Sequence, residues 1–169
     1  MAKAQAKKAG AKMRAKSAMR AKKPARRSAV RPTRTAASKP RRPHKFVKNH
    51  LTPEDFKADG LRSYALYRDL GIKDATHGMA VAHVIRFVGA CDPEVVSKNH
   101  LHEADFQMIY VLKGSITTEI EGHGVHTMKA GDSWLQPHSI EHRVLDYSDG
   151  CEVLEIVMPA NFRTVELEK

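Results

Sequence analysis

The chain has 169 residues, enough for one ordinary domain and some extra sequence. Eighteen of its 29 lysines and arginines precede residue 51, whereas all 19 acidic residues follow it, beginning with Glu54. The first fifty residues therefore carry +18 and the rest −8, which excludes a uniformly basic protein and points to an acidic domain with a basic tail. Two cysteines, Cys91 and Cys151, form no CxxC pair, which argues against a disulfide-built secreted fold and for a reducing cytoplasm. No apolar run is long enough for a transmembrane helix, and no signal-peptide core follows the N-terminus, so no membrane partner is expected.

Residues 1–45 are almost entirely Ala, Lys, Arg, Ser, Thr and Pro. Pro24, Pro32, Pro40 and Pro43 prevent a long helix, and the repeated positive charges repel one another. Such a segment cannot bury enough apolar surface to offset the entropy of ordering it, so a disordered tail is predicted. Its lysines and arginines suit weak, nonspecific, salt-dependent contact with nucleic acid or another polyanion. A transit peptide and a solvated extension without a role are the alternative readings. The folded domain is predicted over residues 46–169.

Thr52-Pro53-Glu54-Asp55 reads as a helix start: Thr caps, Pro suits the first turn, and two acids favour the positive end of the dipole. Gly60 is expected to end that short helix. Strand signals follow over 63–70, 79–88, 107–112, 115–120, 125–128, 133–136, 142–145 and 151–158. His77-Gly78, Lys113-Gly114 and Glu121-Gly122-His123-Gly124 supply turns. Short strands every 8–12 residues or so, with Gly between them, predict an all-β sandwich or barrel.

Two blocks carry chemistry. The first contains His100-x-His102, four residues, Gln107, six residues and Gly114. The second contains Gly131, five residues, Pro137-x-Ser139, two residues, His142, three residues and Asp146. Side chains two apart on a strand share a face, so His100 and His102 can share one ion. Glu103 falls on the opposite face, and Asp105 falls in a turn.

In these spacings the chain resembles the cupin family, a small jelly-roll β-barrel whose first motif is His-x-His, three or four residues, Glu, six residues, Gly. The family's second motif is Gly, five residues, Pro-x-Gly, two residues, His, three residues, Asn. Sixteen residues between Gly114 and Gly131 suit the hairpin region the family places there. The departures are Gln107 for the Glu ligand, Glu94 for a Gly, and Ser139 and Asp146 for a turn Gly and Asn. The resemblance implies one divalent transition metal held by His100, His102, Gln107 and His142, with Gln107 a weak fourth ligand or a hydrogen-bond donor to the bound species; the alternative is a vestigial site in which the amide has replaced the metal-binding acid. It also implies a homodimer paired through the sheets. Three imidazoles and an amide oxygen form a neutral set that favours Fe, Ni, Zn or Cu over Mn and leaves the ion positive enough to attract an anion. The family further implies an enzyme of dioxygenase, isomerase or decarboxylase type acting on a small anionic molecule, or alternatively a non-enzymatic binding or sensing module.

Among the other candidates, His138 is expected to be solvated, and His123 and His126 to lie on a hairpin surface. Tyr110 is expected in core or interface and Trp134 in packing. Arg86 suits either an inward-facing anion or a salt bridge, and the cysteines read as plain thiols. No nucleophilic triad, phosphate loop or dinucleotide fingerprint is present.

Overall fold

A computed structural model describes residues 42–167. Most of the predicted tail, residues 1–41, lies outside them. Two five-stranded antiparallel sheets face each other. The strands are β1 (Ala65–Asp69), β2 (Val81–Phe87), β3 (His100–Glu103), β4 (Phe106–Lys113), β5 (Ser115–Ile120), β6 (Gly124–Lys129), β7 (Ser133–Leu135), β8 (His142–Tyr147), β9 (Glu152–Met158) and β10 (Arg163–Glu166). One sheet runs β1-β2-β9-β4-β7 and the other β10-β3-β8-β5-β6. From β2 to β5 and again from β7 to β10 the chain crosses between sheets at every step, the connectivity of a jelly roll. All eight expected strands are present. Among the described residues no helix is long and apolar enough to cross a membrane.

Alternation explains the packing. On β5, Ile116, Thr118 and Ile120 are buried together as their spacing predicts. Val111, Cys151 and Val153 pack with Ile109, Ile116, Phe87 and Tyr147 into the main apolar cluster. Phe87 and Tyr147 stack with ring centroids 4.7 Å apart. Burying each such aliphatic side chain stabilises the fold by roughly 1.5–3 kcal/mol.

The helix expected from Thr52 to Gly60 is a single 3₁₀ turn, Pro53–Asp55. Its start is as predicted, with the Asp55 carboxylate accepting from the Thr52 N–H at 3.0 Å. It stops because Phe56 turns extended and Lys57 pairs with Tyr67 beside β1, which the helix signal could not anticipate. Gly60 lies against the Tyr67 ring, which a side chain there would overlap, so its role is close approach rather than helix termination. Two single-turn helices went unpredicted: α1 (Ile72–Ala75) and α2 (Pro93–Val96). The His77-Gly78 turn is present with both residues left-handed, at φ 55° and 83°.

Candidate metal centre

Both edges of the histidine cluster follow from strand register. His100 and His102 alternate inward along β3, and His142 on β8 is the direct register partner of His100. One ring nitrogen from each of the three lies within 4.8 Å of the others, the one such cluster among the described residues. His100 and His142 are buried and His102 nearly so.

Their outer nitrogens are all engaged. His100 Nδ1 donates to the Lys98 carbonyl at 2.8 Å, and His142 Nδ1 donates to the Ile140 carbonyl at 3.0 Å. His102 Nδ1 meets the hydroxyl of Thr164, its register partner on β10, at 2.9 Å. A carbonyl can only accept, so Nδ1 of His100 and His142 carries the proton and Nε2 keeps its lone pair. Burial, and then the neighbouring His142, push the His100 pKa down to about 3. Burial pushes His142 down to about 4 and also lowers His102. Three neutral imidazoles with tied outer nitrogens and convergent inner ones fit a divalent ion of the borderline kind.

Gln107 is buried on β4, facing the same interior. Its Nε2 donates to Glu155 Oε1 at 2.7 Å, leaving Oε1 as the atom it can offer an ion. Glu155, on β9, went unrecognised in the sequence. It sits directly opposite His83 of β2 in register, and His83 Nε2 donates to its Oε2 at 2.6 Å. Gln107 pairs with Val157 and so lies diagonal to Glu155 on the same face, within hydrogen-bonding reach. Burial alone would raise the Glu155 pKa, but the bonds from His83 and Gln107 outweigh it and hold the carboxyl ionised and below its usual range. The amide at position 107 has therefore not emptied the cavity of carboxylate; the charge stands one hydrogen bond further out.

The local alternatives do not fill that role. Glu103 is exposed and 3.5 Å from Arg163, and Asp105 is exposed in the loop before β4. His138 is exposed, donating to the Ala104 carbonyl, and His123 and His126 are exposed on their hairpin. Arg86 points outward, bonded to Glu152 at 2.8 Å and stacked on Phe56. Tyr110 is on the outer face of its sheet, partly exposed, rather than in the core. Cys91 and Cys151 are free, and burial pushes the Cys151 thiol up to about 11. Trp134 both packs on the core and lines the cavity.

The cluster sits in a cavity of about 390 Å³ between the sheets. Its polar lining holds the histidines, Gln107, His83, Glu155, Arg62 and Gln136. Its apolar walls include Tyr64, Ile85, Phe87, Ile109 and Phe162. A volume of this size accommodates a small organic molecule.

Residues 90–157 match a family model described as a cupin domain. No curated protein sequence matches the chain. Among solved structures, KdgF from Halomonas sp. is similar at TM-score 0.52 and 22% identity, over 68% of this chain and 94% of that one. Oxalate decarboxylase from Bacillus subtilis is similar at TM-score 0.53 and 19% identity, over 73% of this chain and 33% of that one. Salicylate 1,2-dioxygenase from Pseudaminobacter salicylatoxidans is similar at TM-score 0.51 and 8% identity, over 63% of this chain and 31% of that one. The chain thus spans about a third of the latter two, and at these identities the likeness is one of fold. The double-sheet topology and the spacing of the two motifs agree with the family match, so residues 90–157 lie in a domain with the cupin fold.

Proposed function

We propose that the barrel is a metal-dependent enzyme that moves a proton on a small anionic molecule, an isomerase-type cupin. His100, His102 and His142 hold one divalent transition ion, with Fe, Ni, Zn or Cu favoured over Mn, and Gln107 Oε1 completes the set. When bound, the ion supplies Lewis-acid polarisation of a substrate oxygen. Glu155 carries the reading: an ionised carboxylate is held inside a cavity that also contains three neutral imidazoles. Each of its oxygens accepts one protein hydrogen bond and keeps a lone pair for a substrate proton. Gln107 fixes its orientation from one side. His83 fixes the other side and also lines a second pocket with Lys57, Asp59 and Asp69.

The test is deuterium exchange at the carbon next to the carbonyl of small oxo acids, incubated in D₂O with metal-loaded protein. Glu155→Gln is expected to slow exchange by about 10²–10⁴-fold, the usual share of a general base, with metal content unchanged. Oxygen consumption at an unchanged rate in Glu155→Gln would replace proton transfer with oxygenation. Ligand binding without turnover of any kind would make the barrel a binding module.

A further inference from the structure

Two nitrogens beside this cavity are buried without a partner: Arg62 Nη2 and Gln136 Nε2. Both residues line the cavity. They come from opposite sides of the sandwich. Arg62 precedes β1, an edge strand, and its Nη1 donates to Glu166 on β10, the edge strand of the other sheet, at 2.7 Å. Gln136 follows β7, the opposite edge of the first sheet. Its Oε1 accepts from the Trp134 indole at 3.0 Å, which fixes the amide so that Nε2 is the end left over.

We propose that Arg62 and Gln136 set specificity for a carboxylic acid that carries a second oxygen, carbonyl or hydroxyl, on the far side of a compact apolar body. The proposal rests on the cavity being a substrate site, as read above, and names the chemistry that site selects. Arg62 is the carboxylate partner. Its side chain is 14% exposed and anchored by Glu166 through Nη1, with Nη2 unpartnered, and a guanidinium is the cation whose geometry best matches a carboxylate. Arg62 lines the same cavity as the three histidines. Gln136 is 4% exposed and neutral, so its orphaned N–H suits an uncharged oxygen. Between them the walls are aromatic and branched aliphatic, which suits a ring or branched chain and not a polyhydroxylated one. A donor withheld from water binds acceptors selectively, because an analogue lacking the oxygen leaves it unpaired.

Three probes of one shape separate the contributions: 4-oxocyclohexanecarboxylate with both oxygens, cyclohexanecarboxylate with the acid alone, and cyclohexanone with the ketone alone. Their binding to the full-length protein is measured by calorimetry, with and without Zn, and by fluorescence of Trp134, the chain's one tryptophan. The two-ended probe is expected to bind at least about tenfold more tightly than either one-ended probe. Arg62→Gln should weaken both acids by at least about tenfold and leave cyclohexanone unchanged, since a charge-assisted bond is lost. Gln136→Met removes the free donor without adding a charge, at the cost of the acceptor for Trp134. It should weaken the oxo acid more than cyclohexanecarboxylate. If Arg62→Gln does not fold, Arg62→Lys keeps the charge without the fork and should show a smaller loss in the same direction. Equal affinity for the three probes, no saturable binding of any at millimolar concentration, or wild-type selectivity in the variants would overturn the proposal. Measuring metal-free protein in parallel separates this outcome from failure of the metal reading, which would appear as absence of bound Zn with probe selectivity intact.

Discussion

The two sheets face one cavity with different kinds of polar chemistry. The sheet β10-β3-β8-β5-β6 contributes three imidazoles whose outer nitrogens are tied to Lys98, Ile140 and Thr164 and whose inner nitrogens converge. The opposing sheet contributes Gln107, Glu155 and His83, which are tied to one another across β4, β9 and β2. The first arrangement leaves neutral lone pairs free; the second holds a charge in place. On the proposed reading the histidine sheet supplies three of the four ion ligands, while Gln107 on the opposing sheet both completes that set and orients Glu155.

The largest effect should come from the histidine sheet. His142→Ala removes one of three convergent nitrogens and the register partner of His100. Metal retained after chelator challenge, read by elemental analysis, is expected to fall by more than the about 10–100-fold that loss of an outer partner costs. Glu155→Gln, which slows exchange, should leave metal content where it was. Loss of metal in both variants would mean that the carboxylate, directly or through its bond to Gln107, is part of the ion site.

Protonation sharpens the same contrast. The native pKa values of about 3 for His100 and about 4 for His142 lie below the 6.5 of a free imidazole. Between those values the unfolded chain binds protons that the native state does not. Stability of the metal-free protein is therefore fully present above pH 6.5 and is lost as pH falls towards 4, at on the order of 1 kcal/mol per pH unit for each ring. Denaturant midpoints from pH 8 down to pH 4 should show a plateau and then a decline, steeper than in His142→Ala. A curve flat to pH 5 would show that the rings are not buried neutral.

A smaller effect tests the tethers. Thr164→Val removes the hydroxyl that meets His102 Nδ1 while preserving the branched shape. Metal affinity by competition should fall by about 10–100-fold with the fold intact. An unchanged affinity would show that the position of His102 is set by its strand and by Phe162, whose ring meets it edge-on at 5.4 Å, and not by this bond.

How much of this was legible in the sequence depends on distance along the chain. The period of two along a strand places His100 and His102 on one face, and motif spacing adds His142. Strand parity also separates Glu103 correctly, as its exposure shows. Glu103 and Asp105, the acids that follow His102 in sequence, are exposed and line no part of the cavity. Glu155 lies 48 residues from Gln107 and 72 from His83, and only the sheet order that inserts β9 between β2 and β4 joins them. A local trace existed: Glu155 interrupts the row Val153, Glu155, Val157, whose two valines are buried. A charge in an inward row calls for a partner, but no pattern along β9 says which strands flank it. Arg62 left no such trace, since it lies in a loop before β1 and reaches the cavity only because the edges of the two sheets meet there.

The departure at Ser139 gives the smallest effect and the clearest sign. The family places Gly there, and Ser139 adopts φ 55°, a left-handed conformation that a side chain disfavours by roughly 1–2 kcal/mol. Its N–H donates to the His102 carbonyl at 3.0 Å, so the turn ties the loop before β8 to the strand that carries two of the histidines. Ser139→Gly relieves the strain in the native state but loosens the unfolded chain by roughly 0.5–1 kcal/mol, so the net gain should be at most about 1.5 kcal/mol. Denaturant unfolding of metal-free protein reads that gain, while metal affinity should not move because the backbone bond persists. A stabilised variant that binds metal less well would show that the strained turn helps to place His142, and would tie the loop to the histidine sheet more closely than its hydrogen bonds indicate.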